Sequence, residues 1–169
     1  MKYPVSKPYL NGNELKYCTE AIQEGWLSWK GRFVEELEQK WAEYCGVKYC
    51  VATTSGTTAL TLALAALNIR PGDEIIIPEF TMIATAFAAS YHFATPIFVD
   101  CGDDLNIDIT KIEKAITPRT KAIMPVHIYG RMCDMEKIMN LAYQYNLWVI
   151  EDAAESHGAV FKGKKAGAW

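Results

Sequence analysis

The chain has 169 residues, half of them apolar, and its 17 basic and 20 acidic residues give a formal net charge of −3. This balance excludes low-complexity disorder, and without a basic stripe the chain is not expected to bind nucleic acid. The longest apolar run, near 83–90, is too short for a membrane span of about 20 residues. Residues 1–14 contain no apolar core of the signal-peptide type, so nothing marks the chain for export. The length suits one domain.

Five cysteines form neither a CxxC pair nor a metal-ligand spacing with the three histidines. Reduced, buried or idle thiols in the cytosol are the simplest interpretation of this odd count. We therefore expect a cytoplasmic protein without a metal site.

Pro, Gly and polar residues predict an N-terminal arm without structure of its own at 1–12. Periodicity and turn residues then predict these elements in chain order: helices over 13–24 and from about 33 to the Gly46 that ends it, a strand over 49–53, a helix over 57–67, a strand over 74–78, a helix over 81–92, a strand over 96–100, a helix over 110–116, a strand over 121–126, a helix from 134, a strand over 147–151 and a hairpin over 158–167. The helix over 57–67 is apolar all round and is therefore expected to be buried.

Short, nearly continuous apolar strands that alternate with helices predict an α/β fold, a mostly parallel sheet flanked by helices. Ligands of such sheets bind beyond the carboxyl ends of the strands. The candidate site residues are therefore those that follow Thr53, Pro78, Val126 and Ile150.

The segment 54–58 (TSGTT) stands between a predicted strand and a predicted helix. Gly56 allows close backbone approach, and the helix start offers unpaired N–H groups and the positive end of its dipole. With the hydroxyls of Ser55 and Thr57, these groups suit a phosphate. The segment is neither a P-loop nor a dinucleotide-binding turn, and taken alone it favours an ordinary helix N-cap.

Two adjacent carboxylates, Glu151 and Asp152, close a predicted buried strand. Alternation along a strand sends them to opposite faces, so one can enter a site at the strand end while the other makes structural contacts. Such a carboxylate can hold a protonated heteroaromatic nitrogen, a metal or a ribose. A helix cap with solvated acids explains the pair equally well.

Apolar residues flank Thr81, which is the predicted N-cap of its helix. Phe80 and Met82 can cover the face of a ring, although such residues more often belong to a core. His127, at the end of a predicted strand, is the most interesting of the three histidines. Taken alone, it is more often a hydrogen-bonded structural residue than a catalyst.

Six stretches in collinear order carry a resemblance to a known family: 25–28 (GWLS), 55–60 (SGTTAL), 71–74 (PGDE), 78–85 (PEFTMIAT), 126–130 (VHIYG) and 151–155 (EDAAE). They resemble the DegT/DnrJ/EryC1/StrS sugar aminotransferases, which are pyridoxal-phosphate enzymes of the aspartate aminotransferase fold. The likeness covers nearly the whole chain. It implies that 13–169 is the N-terminal part of the large domain of that fold, without the remainder of that domain or the small domain.

The resemblance implies roles for the cofactor-binding residues. Asp152 matches the aspartate that keeps the pyridine nitrogen of pyridoxal phosphate protonated, so that the ring can accept electrons. The turn of Ser55, Gly56 and Thr57 matches the phosphate site, and Glu155 matches a position near the ring hydroxyl. Met82 stands where an aromatic residue usually stacks on the ring, and methionine covers that face with a weaker contact.

The implied reaction moves an amino group from glutamate to a keto group of a nucleotide-linked deoxysugar, in ping-pong order. Ser28 and His127 match positions near the substrate pocket. Family members form dimers with shared active sites, and Trp26 and Trp29 would suit a partner surface.

The resemblance also places the Schiff-base lysine beyond Trp169, because the lysines at 162, 164 and 165 stand in the predicted hairpin and do not match. The 169 residues would then contain no catalytic lysine, and we expect them to be inactive alone. Two alternatives stay open. One is a sugar 3-dehydratase on the same scaffold, with a histidine at the lysine position, and the other is a truncated, non-catalytic chain.

Overall fold

The computed structural model describes residues 7–169. Its elements in chain order are α1 (Glu14–Glu24), α2 (Arg32–Cys45), α3 (Gly56–Ala66), β1 (Glu74–Pro78), α4 (Ala84–Tyr91), β2 (Thr95–Val99), α5 (Ile109–Ala115), β3 (Thr120–Ile123), a single 3₁₀ turn (Ile128–Gly130), α6 (Met135–Tyr145), β4 (Trp148–Val149), β5 (Val160–Phe161) and β6 (Lys164–Lys165). The arm predicted at 1–12 lies partly outside the described residues, and its part at 7–12 is exposed, without helix or strand. Across 7–169, no helix is both long and apolar enough to cross a membrane.

Four strands form a parallel sheet in the order β2-β1-β3-β4. Beyond β3 and β4, a parallel bridge pairs Val126 with Asp152 and extends this edge of the sheet. The last two strands, β5 and β6, form a separate antiparallel hairpin. The predicted α/β class, the parallel sheet and the hairpin are therefore confirmed.

The two faces of the sheet bury two apolar clusters, because neighbouring residues of β1 point to opposite sides. Ile75 and Ile77 pack with Leu64 of α3 and with alanines of α4. Ile76 packs on the other face with Ile112 of α5 and with residues of α6. These isoleucines are fully buried, which is worth about 1.5–3 kcal/mol for each side chain. The helices are thereby held on both faces while the carboxyl edge stays open.

The strand predicted at 49–53 does not form, so that prediction is wrong. A strand needs a hydrogen-bonded neighbour, and none of residues 7–169 pairs with this segment. The backbone N–H of Ala52 instead donates to Oε1 of Glu38 in α2, over 2.8 Å. Tyr49 and Val51 are exposed.

Two helix predictions also need correction. Within the described residues α3 is buried on one side only, at Leu60 and Leu64, while Leu62 is 47% exposed. The helix expected to begin at Thr81 begins at Ala84. Thr81 does not cap it, because Ile83 stands at the N-cap position and no side chain of the described residues caps the helix. The hydroxyl of Thr81 lies 3.1 Å from the hydroxyl of Thr85.

Candidate active site

Three of the four segments that the sequence predicted as candidate sites meet at the carboxyl edge of the sheet. The segment after β1 contacts the segment after β3, since the rings of Phe80 and Tyr129 lie edge to face with centroids 6.3 Å apart. The segment after β3 contacts the segment after β4, since the backbone N–H of Tyr129 donates to Glu155 over 2.8 Å. The parallel topology brings these ends together, as expected from strands that all point one way.

Asp152 is the nearly buried carboxylate of this edge, with only 9% of the residue exposed. Its Oδ2 accepts a hydrogen bond from the hydroxyl of Thr85 (3.4 Å), and its Oδ1 accepts one from the backbone N–H of Ala154 (3.2 Å). None of the cationic side chains in 7–169 forms an ion pair with it. A buried carboxylate held only by neutral donors is suited to a cationic N–H from a ligand, because burial is costly for an unpaired charge.

Glu151 points away from this site, which confirms the predicted opposite facing of the two carboxylates. Its Oε1 accepts from Nε2 of His127 (2.8 Å), and its Oε2 accepts from the backbone N–H of Trp169 (3.1 Å). Burial raises the pKa of Glu151, but the hydrogen bonds from His127 and from the backbone N–H groups of Gly167 and Trp169 outweigh it, so the pKa lies below its ordinary value. Glu151 is therefore an ionised structural residue at neutral pH.

His127 is fully buried beneath the site. Its Nδ1 accepts from the backbone N–H of Cys133 (3.2 Å), while its Nε2 reaches Glu151. Both ring nitrogens are thus used inside the protein. This geometry favours the structural interpretation of His127 over direct contact with a substrate.

The start of α3 combines a helix cap with free hydrogen-bond donors. Oγ of Ser55 accepts from the backbone N–H of Thr58, and Oγ1 of Thr58 accepts from the backbone N–H of Ser55 (3.0 Å). The N–H of Ala59 donates to the carbonyl oxygen of Ser55. The backbone N–H groups of Gly56 and Thr57, and the hydroxyl of Thr57, find no acceptor or donor among residues 7–169. The N-cap therefore exists, and it leaves unused donors of the kind that bind anions beside it.

The space beside Gly56 is open. A Cβ added at Gly56 would meet no atom within 4 Å. Free donors at a helix start, together with the positive end of the helix dipole, suit an anion such as a phosphate group. No hydrogen bond joins this turn to Asp152, whose side chain accepts from Thr85 and Ala154.

Several apolar side chains of these segments are exposed. Met82 is 67% exposed, and the rings of Phe80 and Tyr129, which contact each other, are also accessible. Tyr129 has a φ of 51°, which is uncommon for a residue other than glycine, and the side chain of Glu155 holds its N–H. Strain of this kind is typical of functional turns. Ser28 lies in the exposed loop between α1 and α2.

Two residues of this edge, Thr85 and Tyr129, carry no predicted role in the sequence. The spacing of Thr81 and Thr85 on one helix face is a signal that could have suggested a hydroxyl pair. No such signal marks the left-handed conformation of Tyr129, whose backbone N–H donates to Glu155, 26 positions away in the chain.

Solved structures define the class of protein. The aminotransferase from Psychrobacter cryohalolentis matches with a TM-score of 0.90 and 38% identity, over 97% of this chain and 42% of that one. A GDP-4-keto-6-deoxy-D-mannose-3-dehydratase from E. coli, solved with bound hydrated PLP (pyridoxal 5'-phosphate), matches with a TM-score of 0.88 and 31% identity, over 98% of this chain and 44% of that one. The fold is thus that of the pyridoxal-phosphate aminotransferases of fold type I.

Sequence comparison narrows the class further. Residues 8–169 match the model of the DegT/DnrJ/EryC1/StrS aminotransferase family, and the chain belongs to that family. A GDP-perosamine synthase from Caulobacter vibrioides is 52% identical over 165 residues, which are 97% of this chain and 44% of the relative. The chain therefore spans less than half the length of this relative.

Proposed function

We propose that this chain is the cofactor-binding part of a pyridoxal-phosphate sugar aminotransferase. The observation that carries the proposal is the nearly buried carboxylate of Asp152, held by neutral donors at the carboxyl edge of the sheet. A protonated pyridine nitrogen would be the cationic partner that Asp152 does not find among residues 7–169. The identity of 52% with a GDP-perosamine synthase supports a nucleotide-linked sugar as the amino acceptor. We propose that this sugar is a keto-deoxysugar and that glutamate is the amino donor.

The donor set of the site fits pyridoxal phosphate, which when bound supplies a ring that accepts electrons from a breaking Cα–H bond. Asp152 would hold the proton on the ring nitrogen. The N–H groups of Gly56 and Thr57 and the hydroxyl of Thr57 would bind the phosphate. Met82 would cover one face of the ring with its flexible side chain, and Glu155 lies on the same edge of the sheet.

We further propose that 13–169 is an incomplete large domain that does not transfer amino groups alone. The lysines of the C-terminal hairpin are engaged away from Asp152. Lys162 pairs with Glu136, Lys164 lies 4.5 Å from the ring centroid of Trp169, and Lys165 donates to the carbonyl oxygen of Tyr44. Amino transfer by the purified chain, with glutamate and a nucleotide-linked keto-deoxysugar, would overturn this part of the proposal.

The whole protein is proposed to be a cytoplasmic homodimer. The exposed Trp26 and Trp29 support a partner surface, and the five unpaired thiols support a reducing compartment. A sugar 3-dehydratase remains the second candidate because of the TM-score of 0.88 with the E. coli dehydratase. The higher identity with the perosamine synthase favours the aminotransferase.

The proposal is tested by calorimetric titration of the chain with pyridoxamine 5'-phosphate (PMP), the amine form of the cofactor, which needs no lysine to bind. Benzyl phosphate, with a phosphate on a ring that has no nitrogen, is the matched ligand. We expect PMP to bind more tightly than benzyl phosphate. Equal binding of the two, or no binding of PMP, would refute the assigned site.

A further inference from the structure

The buried pair of His127 and Glu151 lies directly behind the proposed ring-nitrogen acid. The backbone N–H of Asp152 donates to the carbonyl oxygen of Pro125 (3.0 Å), and the backbone N–H of His127 donates to the carbonyl oxygen of Asp152 (3.1 Å). Next to these bonds, the side chains of His127 and Glu151 join over 2.8 Å. The ends of β3 and β4 are therefore tied by two backbone bonds and one side-chain bond.

The partners of His127 fix its tautomer. Nδ1 faces the backbone N–H of Cys133, so it acts as an acceptor and carries no proton. Nε2 then carries the proton and donates it to Glu151. Glu151 in turn accepts from the N–H of Trp169, so every polar atom of the pair is satisfied in the interior.

The direction of the Asp152 side chain is linked to the pair of His127 and Glu151 because Glu151 and Asp152 are adjacent in an extended segment. Adjacent residues of an extended backbone project to opposite sides, so a rotation of Glu151 about the strand axis also rotates Asp152. The two hydrogen bonds that the carboxylate of Asp152 accepts are long, at 3.4 and 3.2 Å. They hold its carboxylate less firmly than the pair holds Glu151.

We propose that the hydrogen bond between His127 and Glu151 is a positioning device that aims the carboxylate of Asp152 at the ring nitrogen of the cofactor. His127 is then a positioning residue and not a contact for the substrate. This inference rests on the proposed function, because it assumes that Asp152 meets a pyridine nitrogen. A loss of the pair misdirects the carboxylate and leaves the phosphate turn of α3 untouched.

The test compares two variants of His127 in the full chain. Asparagine can still accept from Cys133 but is too short to reach Glu151, whereas glutamine can extend an amide N–H towards Glu151. The Kd values of PMP and of benzyl phosphate are measured for the wild type, His127→Asn and His127→Gln. Ile112→Val, in the fully buried cluster of the same sheet face, is the control for a general loss of packing.

We expect His127→Asn to weaken PMP binding about tenfold, the effect of one misplaced charge-assisted hydrogen bond, with benzyl phosphate unchanged. His127→Gln should restore most of the PMP affinity, and Ile112→Val should change neither Kd. An unchanged ratio of the two Kd values in His127→Asn would overturn the inference. A wild type that does not prefer PMP would overturn the proposed function, and with it this inference.

Glu151→Gln provides the test should His127→Asn fail to fold by circular dichroism. Glutamine keeps the volume of Glu151 but has one acceptor oxygen in place of two, although His127, Trp169 and Gly167 all donate to the carboxylate. At least one of these donors then faces the amide NH₂ group. The same selective loss of PMP affinity is expected, and an unchanged ratio of the two Kd values contradicts the proposal.

Discussion

The hydroxyl of Thr85 donates to the carboxylate of Asp152 across 3.4 Å, joining residues 67 positions apart in the chain. Thr85 is fully buried in α4, and Asp152 lies at the end of the β4 segment. The bond ties a helix on one face of the sheet to the acid of the site. It is one of only two hydrogen bonds that the Asp152 side chain accepts from residues 7–169.

Thr85→Val should lower the free energy of unfolding by about 1–2 kcal/mol, because valine keeps the volume but leaves a nearly buried carboxylate with one donor fewer. Chemical denaturation of both proteins measures the difference. Thr85→Ser keeps the hydroxyl and should recover part of the loss. A valine variant as stable as the wild type would mean that this bond contributes nothing.

Neighbouring threonines at the start of α3 should behave differently. Thr58→Val removes the hydroxyl that completes the capping box and should cost about 1 kcal/mol of stability. Thr57→Val removes a hydroxyl that makes no hydrogen bond with residues 7–169, and it should leave the free energy of unfolding unchanged.

In the titrations with PMP and benzyl phosphate, Thr57→Val should have a larger effect on binding than Thr58→Val. Thr57→Val should weaken benzyl phosphate and PMP by the same factor, about fivefold, since both share the phosphate. Equal affinity of Thr57→Val and the wild type for benzyl phosphate would show that this hydroxyl does not bind the phosphate.

Met82→Phe should tighten the binding of PMP by about threefold, because an aromatic ring offers a flat face to the pyridine where methionine makes a less directional contact. Met82 is largely exposed, so the substitution should not disturb the core. Met82→Ala should have the opposite effect. Unchanged PMP affinity in both variants would show that residue 82 does not cover the ring.

Stability in acid should depend on Glu74, at the opposite, amino end of β1. The hydrogen bond from the hydroxyl of Thr117 lowers its pKa below the ordinary 4.5, burial opposes this, and bonds from Arg119 lower it further. Because the folded pKa is depressed, this stabilisation is complete above the unfolded value of 4.5 and is lost as pH falls through the folded value.

Glu74→Gln should therefore cost about 1–3 kcal/mol near pH 7, with the difference from the wild type shrinking as pH falls well below about 4. Urea denaturation at several pH values checks this. Glu43→Gln, at an exposed helix position, should stay within about 0.5 kcal/mol of the wild type throughout. A constant deficit for Glu74→Gln at all pH values would contradict the account.

Local patterns predicted most of the fold because the relevant interactions are close in sequence. The apolar run of β1, the alternation at Glu151 and Asp152, and the end of α2 at Gly46 were all visible in the residues. The strand expected at 49–53 failed because pairing depends on a distant neighbour. Similarly, the role of Thr85 and the strained turn at Tyr129 depend on contacts with the segment 152–155, which no local pattern encodes.

The preference of the chain for PMP over benzyl phosphate, measured in the wild type and in Asp152→Asn, tests the central claim most directly. Asparagine replaces a nearly buried carboxylate that has no ion-pair partner among residues 7–169, so the fold should be as stable as the wild type or more stable. The preference for PMP should fall about 10–100-fold, because a charge-assisted hydrogen bond to the ring nitrogen is lost, with benzyl phosphate unaffected. A folded Asp152→Asn variant that kept the wild-type preference would contradict the assignment of Asp152.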